Sequence, residues 1–259
     1  MLSTTKKLLC ALPAIALVMA ALIMNFTAFA RAESGPGLNE TEKAEVRQLI
    51  KDYMRENPEV VVESFKMFQE KQQRESLLAA QEKIVQYKDY LAGKDMPSAG
   101  NPNGDITVVE FFDYNCGYCK KAITDINHIL ETDKNVRFVF IEMPILGPTS
   151  LTAALWAHAA HKQGKYFEFH KILMEHNGAI EDAVLEDAAK KAGLDLEKAK
   201  KDIQSEEIGR EIDKGITVAR EIGVQGTPGF VIEGQLFPGY LGEDGLKKAI
   251  DEARAAKKS

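Results

Sequence analysis

Cysteine is scarce in this 259-residue chain: Cys10, Cys116 and Cys119 are all it has. Apart from Cys10 at the extreme N-terminus, Cys116 and Cys119 have no cysteine elsewhere to pair with, so no disulfide framework can hold the fold together. Zinc is a weak rival, because no second C-x-x-C and no nearby Cys…His pair completes a four-ligand set. Positive charge is also in deficit, with 33 Lys and Arg against 39 Asp and Glu and a net charge of −6. That balance argues against nucleic acid as a partner. Internal repeats are absent, and after Ala32 no run is long and apolar enough to span a membrane. His158 and His161 have metal-ligand spacing on a predicted helix, but no third ligand is evident. The expectation is therefore no metal and no bound cofactor.

The first thirty-two residues point to a compartment. Lys6 and Lys7 precede the almost wholly apolar stretch Leu8 to Met24, and Ala28-Phe29-Ala30 follows. This is the pattern of a Sec-type signal peptide over residues 1–30, or 1–32 if Ala30-Arg31-Ala32 is cut instead. An uncleaved anchor is the alternative, since the stretch approaches the roughly 20 residues a membrane span needs. Cys10 lies inside the segment without a convincing lipobox. About 227 residues remain after removal, enough for one or two domains, and losing Lys6 and Lys7 takes the charge to −8. The expected location is periplasmic, an oxidising space where a thiol pair can act as a disulfide.

What the mature chain does have is Cys116-Gly117-Tyr118-Cys119, directly after the apolar run Val108–Phe112. At a strand-to-helix turn this spacing exposes one sulfur at a helix N-terminus and sets the other a turn behind. Free backbone N–H groups and the helix dipole stabilise a thiolate at the first position. The second thiol is then placed to attack a mixed disulfide formed by the first. A static structural disulfide is the rival reading, but so short a loop gains little chain entropy.

Around this motif the chain organises into three parts. Residues 38–92 read as helix, rich in Glu, Lys and Gln, with Pro58 as the one proline. Asn39 or Thr41 can cap a first helix with apolar face Val46, Leu49, Ile50, Tyr53 and Met54. Asn57-Pro58 stops and restarts it. Val61, Phe65 and Phe68 then share a face, and Leu77, Ile84 and Leu91 recur every seven residues with Ala80 and Tyr87 between. Such a helix can pack on its own domain. The polar run Gln69–Ser76 and the position ahead of the core favour an oligomerisation arm, giving a trimer or dimer. Residues 93–104, with Gly93, Pro97, Gly100, Pro102 and Gly104, read as a linker. Residues 105–259 carry strand Ile106–Phe112, helix Cys116–Glu131, strand Val136–Met143 and helical pattern over about 150–223. Short strands follow at Phe230–Glu233 and Gln235–Phe237, and helix Asp244–Lys257 closes the chain.

Three stretches make this arrangement specific: Val109-Glu110-Phe111-Phe112-Asp113-Tyr114-Asn115-Cys116, Gly164-Lys165-Tyr166-Phe167-Glu168-Phe169-His170 and Gly226-Thr227-Pro228-Gly229-Phe230. With them the chain from roughly Asn101 to Ala256 resembles the DsbA-type thiol–disulfide oxidoreductases, and with its helical arm most resembles their ScsC-like and Com1-like branch. The Cys-Gly-Tyr-Cys and Thr-Pro pairs also look like those of DsbC-type isomerases, although no room exists for the cystatin-like dimerisation domain of those proteins. The fold class implied is α/β, a thioredoxin fold with a helical insertion, preceded by an α-helical N-terminal oligomerisation arm.

Each singled-out residue then has an expected part. Cys116 is the nucleophile and Cys119 the resolving thiol. Glu110 stands six positions ahead of Cys116 among apolar residues. The resemblance implies a buried acid there with a raised pKa that takes the proton from Cys119 as it attacks, whereas a solvated strand face would leave it idle. Pro228 starts a buried-type strand, where its missing N–H is out of place unless the Thr227–Pro228 bond is cis. By resemblance that proline lies against the cysteines, Thr227 abuts the sulfurs, and the backbone there meets substrate. Gly117 and Tyr118 border the nucleophile and are expected to contact substrate, Tyr118 having the tuning of the thiol pKa as its other part. Lys120 and Lys121 read as solvated, and Trp156 and His170 as helical core.

The resulting expectation is an exported protein thiol–disulfide oxidoreductase, leaning to isomerase or reductase, acting on cysteine-containing exported proteins and served by a membrane redox partner. Gly-Tyr between the cysteines, Thr227 and an oligomer favour isomerase; the DsbA-like insertion favours an oxidase. A periplasmic protein holding copper or another soft metal on its thiolate pair is the alternative from a different class.

Overall fold

The computed structural model describes residues 37–258, so the expected signal peptide lies outside the described residues. Two compact units divide the chain, one ending at Phe68 and the other starting at Gln69.

In the first unit, α1 (Glu40–Glu56) begins at a capping box. Asn39 Oδ1 accepts from the backbone N–H of Thr41 and Glu42, both at 3.0 Å, and the Glu42 carboxylate accepts from Asn39 N at 2.8 Å. Asn39, of the two candidates, is the cap. No residue of α1 is buried. Pro58 opens α2 (Pro58–Gln86), whose Val61, Val62, Phe65, Met67 and Phe68 are exposed.

The second unit holds the last turns of α2, then α3 (Lys88–Leu91), and a five-stranded sheet of β1 (Ser98–Gly100), β2 (Ile106–Phe112), β3 (Val136–Glu142), β4 (Gly229–Ile232) and β5 (Gln235–Pro238) in the order β1-β3-β2-β4-β5. β2 and β3 run parallel, joined through α4 (Gly117–Thr132), and the other pairs are antiparallel. Five helices intervene before β4: α5 (Pro148–Lys162), α6 (Tyr166–Glu175), α7 (Asp182–Ala192), α8 (Leu196–Asp202) and α9 (Glu206–Glu221); α10 (Gly242–Ala256) ends the fold. This is the thioredoxin fold with a helical insertion expected above.

Two findings revise the reading of the chain before the core. Of the stripe Leu77, Ile84, Leu91, Leu77 stays exposed but the rest is not left for another molecule. Ala80, Ile84 and Leu91 are buried, and Ile84, Leu91, Tyr87 and Tyr90 join the apolar layer of Val109, Phe111, Val139 and Ile141 on one sheet face. A sheet face left bare must be covered, and here the covering comes from the segment that heptad spacing assigned to assembly. Tyr87 Oη donates to Glu221 at 2.8 Å, and the Arg137 guanidinium donates to the carbonyls of Ala92 at 3.0 Å and Gly93 at 2.6 Å. Second, the Gly- and Pro-rich stretch read as linker contains β1, paired with β3 from Ser98↔Val139 to Gly100↔Arg137. Gly100 is required there: at φ +86° it lies where a Cβ would come within 2.5 Å of the Val136 carbonyl oxygen.

β2 is the strand that positions the chemistry. Flanked by β3 and β4, it buries every residue except Thr107. Val109 and Phe111 face the layer just described, while Val108 and Phe112 face Ile123 and Ile126 of α4. Alternation therefore turns Glu110 toward α4 and the thiols.

Candidate active site

Cys116 is the N-cap of α4, and the helix proper begins at Gly117. Its backbone N–H donates to the Asp113 carbonyl at 3.0 Å, closing the turn out of β2. The two thiols are free. Cys116 Sγ accepts from the Cys119 N–H at 3.4 Å and, as a thiol, donates to the Thr227 carbonyl oxygen at 3.2 Å. Thr227–Pro228 is a cis bond, and Pro228 leads into β4, which pairs with β2. The structure thus brings Cys116, Cys119 and Thr227 together. Gly117 has open space where a Cβ would be, and Tyr118 is well exposed.

The two sulfurs differ sharply in their acidity. Hydrogen bonding from the Cys119 thiol is the largest influence on Cys116. With the Thr227 side chain and the N–H groups of Cys119 and Tyr118, it outweighs burial and lowers the thiol to about 5. These donors all favour the charged form. Cys119 is fully buried, and burial, then its bond to Cys116, then the nearby Glu110 push it well above the ordinary thiol range. One thiolate and one thiol is the resting state of the reduced pair at neutral pH.

Glu110 is completely buried, and neither carboxyl oxygen has a hydrogen-bond partner among the described residues. Desolvation, with a smaller contribution from Cys116, raises it to about 8. The solvated alternative is thereby removed: the side chain is inside, protonated at neutral pH, and electrostatically coupled to both thiols.

Asp113 is the residue that sequence reasoning missed. Its buried carboxylate accepts from Asn115 N at 2.7 Å and Ser150 Oγ at 2.7 Å through one oxygen, and from Ile145 N at 2.9 Å and Leu146 N at 3.0 Å through the other. Asn115 adds bonds to Thr149 at 2.9 Å and Ser150 at 2.8 Å. The turn bearing Cys116 is thus fixed to the segment after β3 and to the start of α5. The sole sequence signal was Asp and Asn in the turn itself. Lys120 also departs from its solvated reading, because its ammonium donates to the His176 carbonyl at 2.6 Å, past the end of α6.

The histidines belong to the scaffold. His158 Nε2 pairs with the buried Glu142 at 3.1 Å, and Tyr166 Oη donates to the same carboxylate at 2.7 Å. His161 Nε2 lies 2.7 Å from the Asp95 carbonyl oxygen. His170 is buried among Phe112, Phe140 and Tyr166, its Nδ1 3.1 Å from Tyr114 Oη, and burial lowers it to about 3. Among the described residues no three His, Cys, Asp or Glu are grouped to hold a metal ion, and the two thiols are what a soft metal would find. No described helix is long and apolar enough to cross a membrane.

Comparison with known proteins agrees with this geometry. The model of the DSBA-like thioredoxin domain matches residues 107–251, and that of the copper resistance protein ScsC N-terminal domain matches residues 42–75. A thioredoxin-like oxidoreductase from Silicibacter pomeroyi is 42% identical with a TM-score of 0.62, covering 64% of this chain and 97% of its own. ScsC of Proteus mirabilis in a transitional conformation is 26% identical, covering 86% of this chain and 100% of its own, also with a TM-score of 0.62. The probable disulfide bond formation protein D of Bacillus cereus is 30% identical over 60% of this chain and 77% of its own length. The chain spans about a quarter of the first curated relatives it matches, such as a Na(+)/H(+) antiporter of Salinispora arenicola, 30% identical over 60% of this chain and 24% of the antiporter. With more than half its length matched, the chain belongs to the DSBA-like thioredoxin domain family and carries an ScsC-type N-terminal region ahead of that domain.

Proposed function

We propose that this protein is an exported, periplasmic thiol–disulfide oxidoreductase that acts on cysteines of folding proteins, residues 105–259 carrying the chemistry. The observation that carries the reading is the asymmetry of the thiols: Cys116 at the helix N-cap lowered to about 5, Cys119 buried and held protonated. The Cys116 thiolate attacks a substrate disulfide, forms a mixed disulfide and expels one substrate thiolate. Cys119 then gives its proton to Glu110 in the ionised form of that carboxyl and attacks Cys116 Sγ. The second substrate thiolate leaves, so the substrate gains two electrons and the protein becomes the disulfide. In reverse, a substrate thiolate opens the Cys116–Cys119 bond and the departing Cys119 takes its proton from Glu110, whose raised pKa suits a proton donor. Thr227 and Pro228, with Gly117 and Tyr118, are the surfaces that meet substrate.

A polypeptide substrate is supported by the surface. Past Val85, the exposed large apolar side chains among the described residues are Tyr118, Ile145, Leu146, Leu151 and Tyr240. Tyr118 lies in the motif, Tyr240 touches Tyr118, and Asp113 ties the segments of the other three to the Cys116 turn. Exposed apolar groups concentrated at one place mark an interaction site.

In direction, the reading leans to isomerase or reductase, kept reduced by a membrane electron donor, with the exposed apolar residues of α1 and early α2 joining two or three copies. Several thiol pairs facing one space would raise effective concentration during disulfide rearrangement. A second reading, an oxidase recharged by a quinone-linked membrane partner, draws on the same lowered Cys116 pKa, since a stabilised thiolate makes the disulfide more oxidising. Scrambled ribonuclease, reduced ribonuclease and metal analysis of the purified protein separate the readings. Recovery of activity from the scrambled substrate supports isomerase; oxidation of the reduced substrate alone supports oxidase. Stoichiometric copper with neither activity overturns both.

A further inference from the structure

We infer that Tyr118 and Tyr240 form an aromatic clamp selecting substrate segments with an aromatic side chain beside the reacting cysteine; this rests on the exchange activity proposed above. Tyr118 is the second residue of α4, two positions from the nucleophile, and 59% exposed. Tyr240 comes from the turn between β5 and α10, more than a hundred residues away, and is 37% exposed. Their ring centroids are 5.9 Å apart with planes inclined by 33°. Neither ring belongs to the core, although most aromatic side chains of this domain are fully buried.

The turn is built to present Tyr240. Gly239 at φ +80° and Gly242 at φ +68° bracket it, both in the left-handed region that suits glycine. Its hydroxyl donates to Asp125 Oδ2 at 2.7 Å, which ties the phenol to the flank of α4. Lys121 sits 5.2 Å from the Tyr118 centroid, on the same helix. Tyr240 is therefore held at its hydroxyl edge and Tyr118 is approached over its face by Lys121, while both rings retain exposed surface, and an aromatic side chain adds to such a pair in tilted or edge-on geometry. A substrate chain joined to Cys116 by a mixed disulfide must pass Tyr118, so the residues beside its cysteine are the ones within reach. A purely structural pair, stapling the turn to α4, would leave substrate preference untouched.

The test uses two disulfide-linked peptide probes identical except for Phe or Ser beside the cysteine, and reads the ratio of their kcat/KM values. The clamp predicts that the full chain prefers the Phe probe by about five- to tenfold. Tyr240→Ala and Tyr118→Ala each bring the ratio toward one, and the double variant lowers it no further, because the two rings act as one unit. Tyr240→Phe, which keeps the ring and loses only the bond to Asp125, retains most of the preference. A native ratio near one, or an unchanged ratio in Tyr240→Ala, overturns the clamp while leaving the exchange activity standing. Failure of the native protein to react with either probe overturns the exchange activity, and the clamp with it.

Discussion

Replacing Glu110 by glutamine removes a titration while nearly preserving shape, which makes its consequence calculable. In the folded chain the carboxyl is raised to about 8, by burial first and Cys116 second, from an ordinary value of 4.5. Below pH 4.5 folded and unfolded chains both carry the proton, and Glu110 has no effect on pH dependence. Above it the unfolded chain loses a proton that the folded chain keeps, so stability falls as pH rises, by about 1.4 kcal/mol per pH unit. The loss reaches about 3 kcal/mol at pH 7 and is complete, at about 5 kcal/mol, near pH 8. Cys116 works in the opposite sense in the reduced protein. Its lowered pKa contributes stability that is present above the unfolded thiol value and lost as pH falls toward 5. The two slopes partly cancel in the native protein, so the informative quantity is the difference between native and Glu110→Gln chains. Urea unfolding of both reduced proteins at a series of pH values measures it. The glutamine amide also lacks partners, but that is a constant offset. The variant should gain about 3 kcal/mol relative to the native chain between pH 4.5 and 7. A difference that stays flat over that range would mean that Glu110 titrates normally, and its part as proton donor to Cys119 would go with it.

Truncation distinguishes the two parts of the N-terminal helices. A chain starting at Gln69 keeps Ile84 and Leu91 on the sheet; by light scattering it should be a folded monomer, and the full mature chain should associate. Starting instead after Asp95 strips Ile84 and Leu91 from the sheet, and urea unfolding should register a loss of about 3–6 kcal/mol, at roughly 1.5–3 kcal/mol per large buried side chain. His158→Leu leaves the buried Glu142 carboxylate without its ion-pair partner and should cost about 3–5 kcal/mol near neutral pH. Burial opposes both charges, but their mutual attraction prevails, raising His158 and lowering Glu142. The pair's contribution is therefore lost as pH rises through the folded His158 pKa or falls through that of Glu142, and the penalty of the variant should shrink at both extremes.

Much of this arrangement was legible because it is local. Cys116 and Cys119 announce themselves by spacing, Pro228 by standing at the head of an apolar strand, and Ile106–Phe112 by its composition. Glu110 was legible only in part: in a strand buried on both faces the alternation that would separate inside from outside disappears. Asp113 was hidden because three of its four bonds come from residues 32 to 37 positions away, and only the bond from Asn115 is local. Ile84 and Leu91, of the stripe that began at Leu77, were misread for a physical reason. An apolar helical stripe looks the same whether it covers its own sheet or a second chain. β1 escaped because three residues amid glycine and proline carry no periodicity, and their order comes from pairing with β3.

The central claim is that the two thiols are chemically unequal, and the thiolate absorbance of the reduced protein against pH tests it most directly. A single thiolate is expected with a midpoint near 5, assigned to Cys116 by its loss in Cys116→Ala, with Cys119 remaining a thiol throughout. A midpoint near about 8.5, the value of an unperturbed cysteine, or two thiols ionising together, would contradict it.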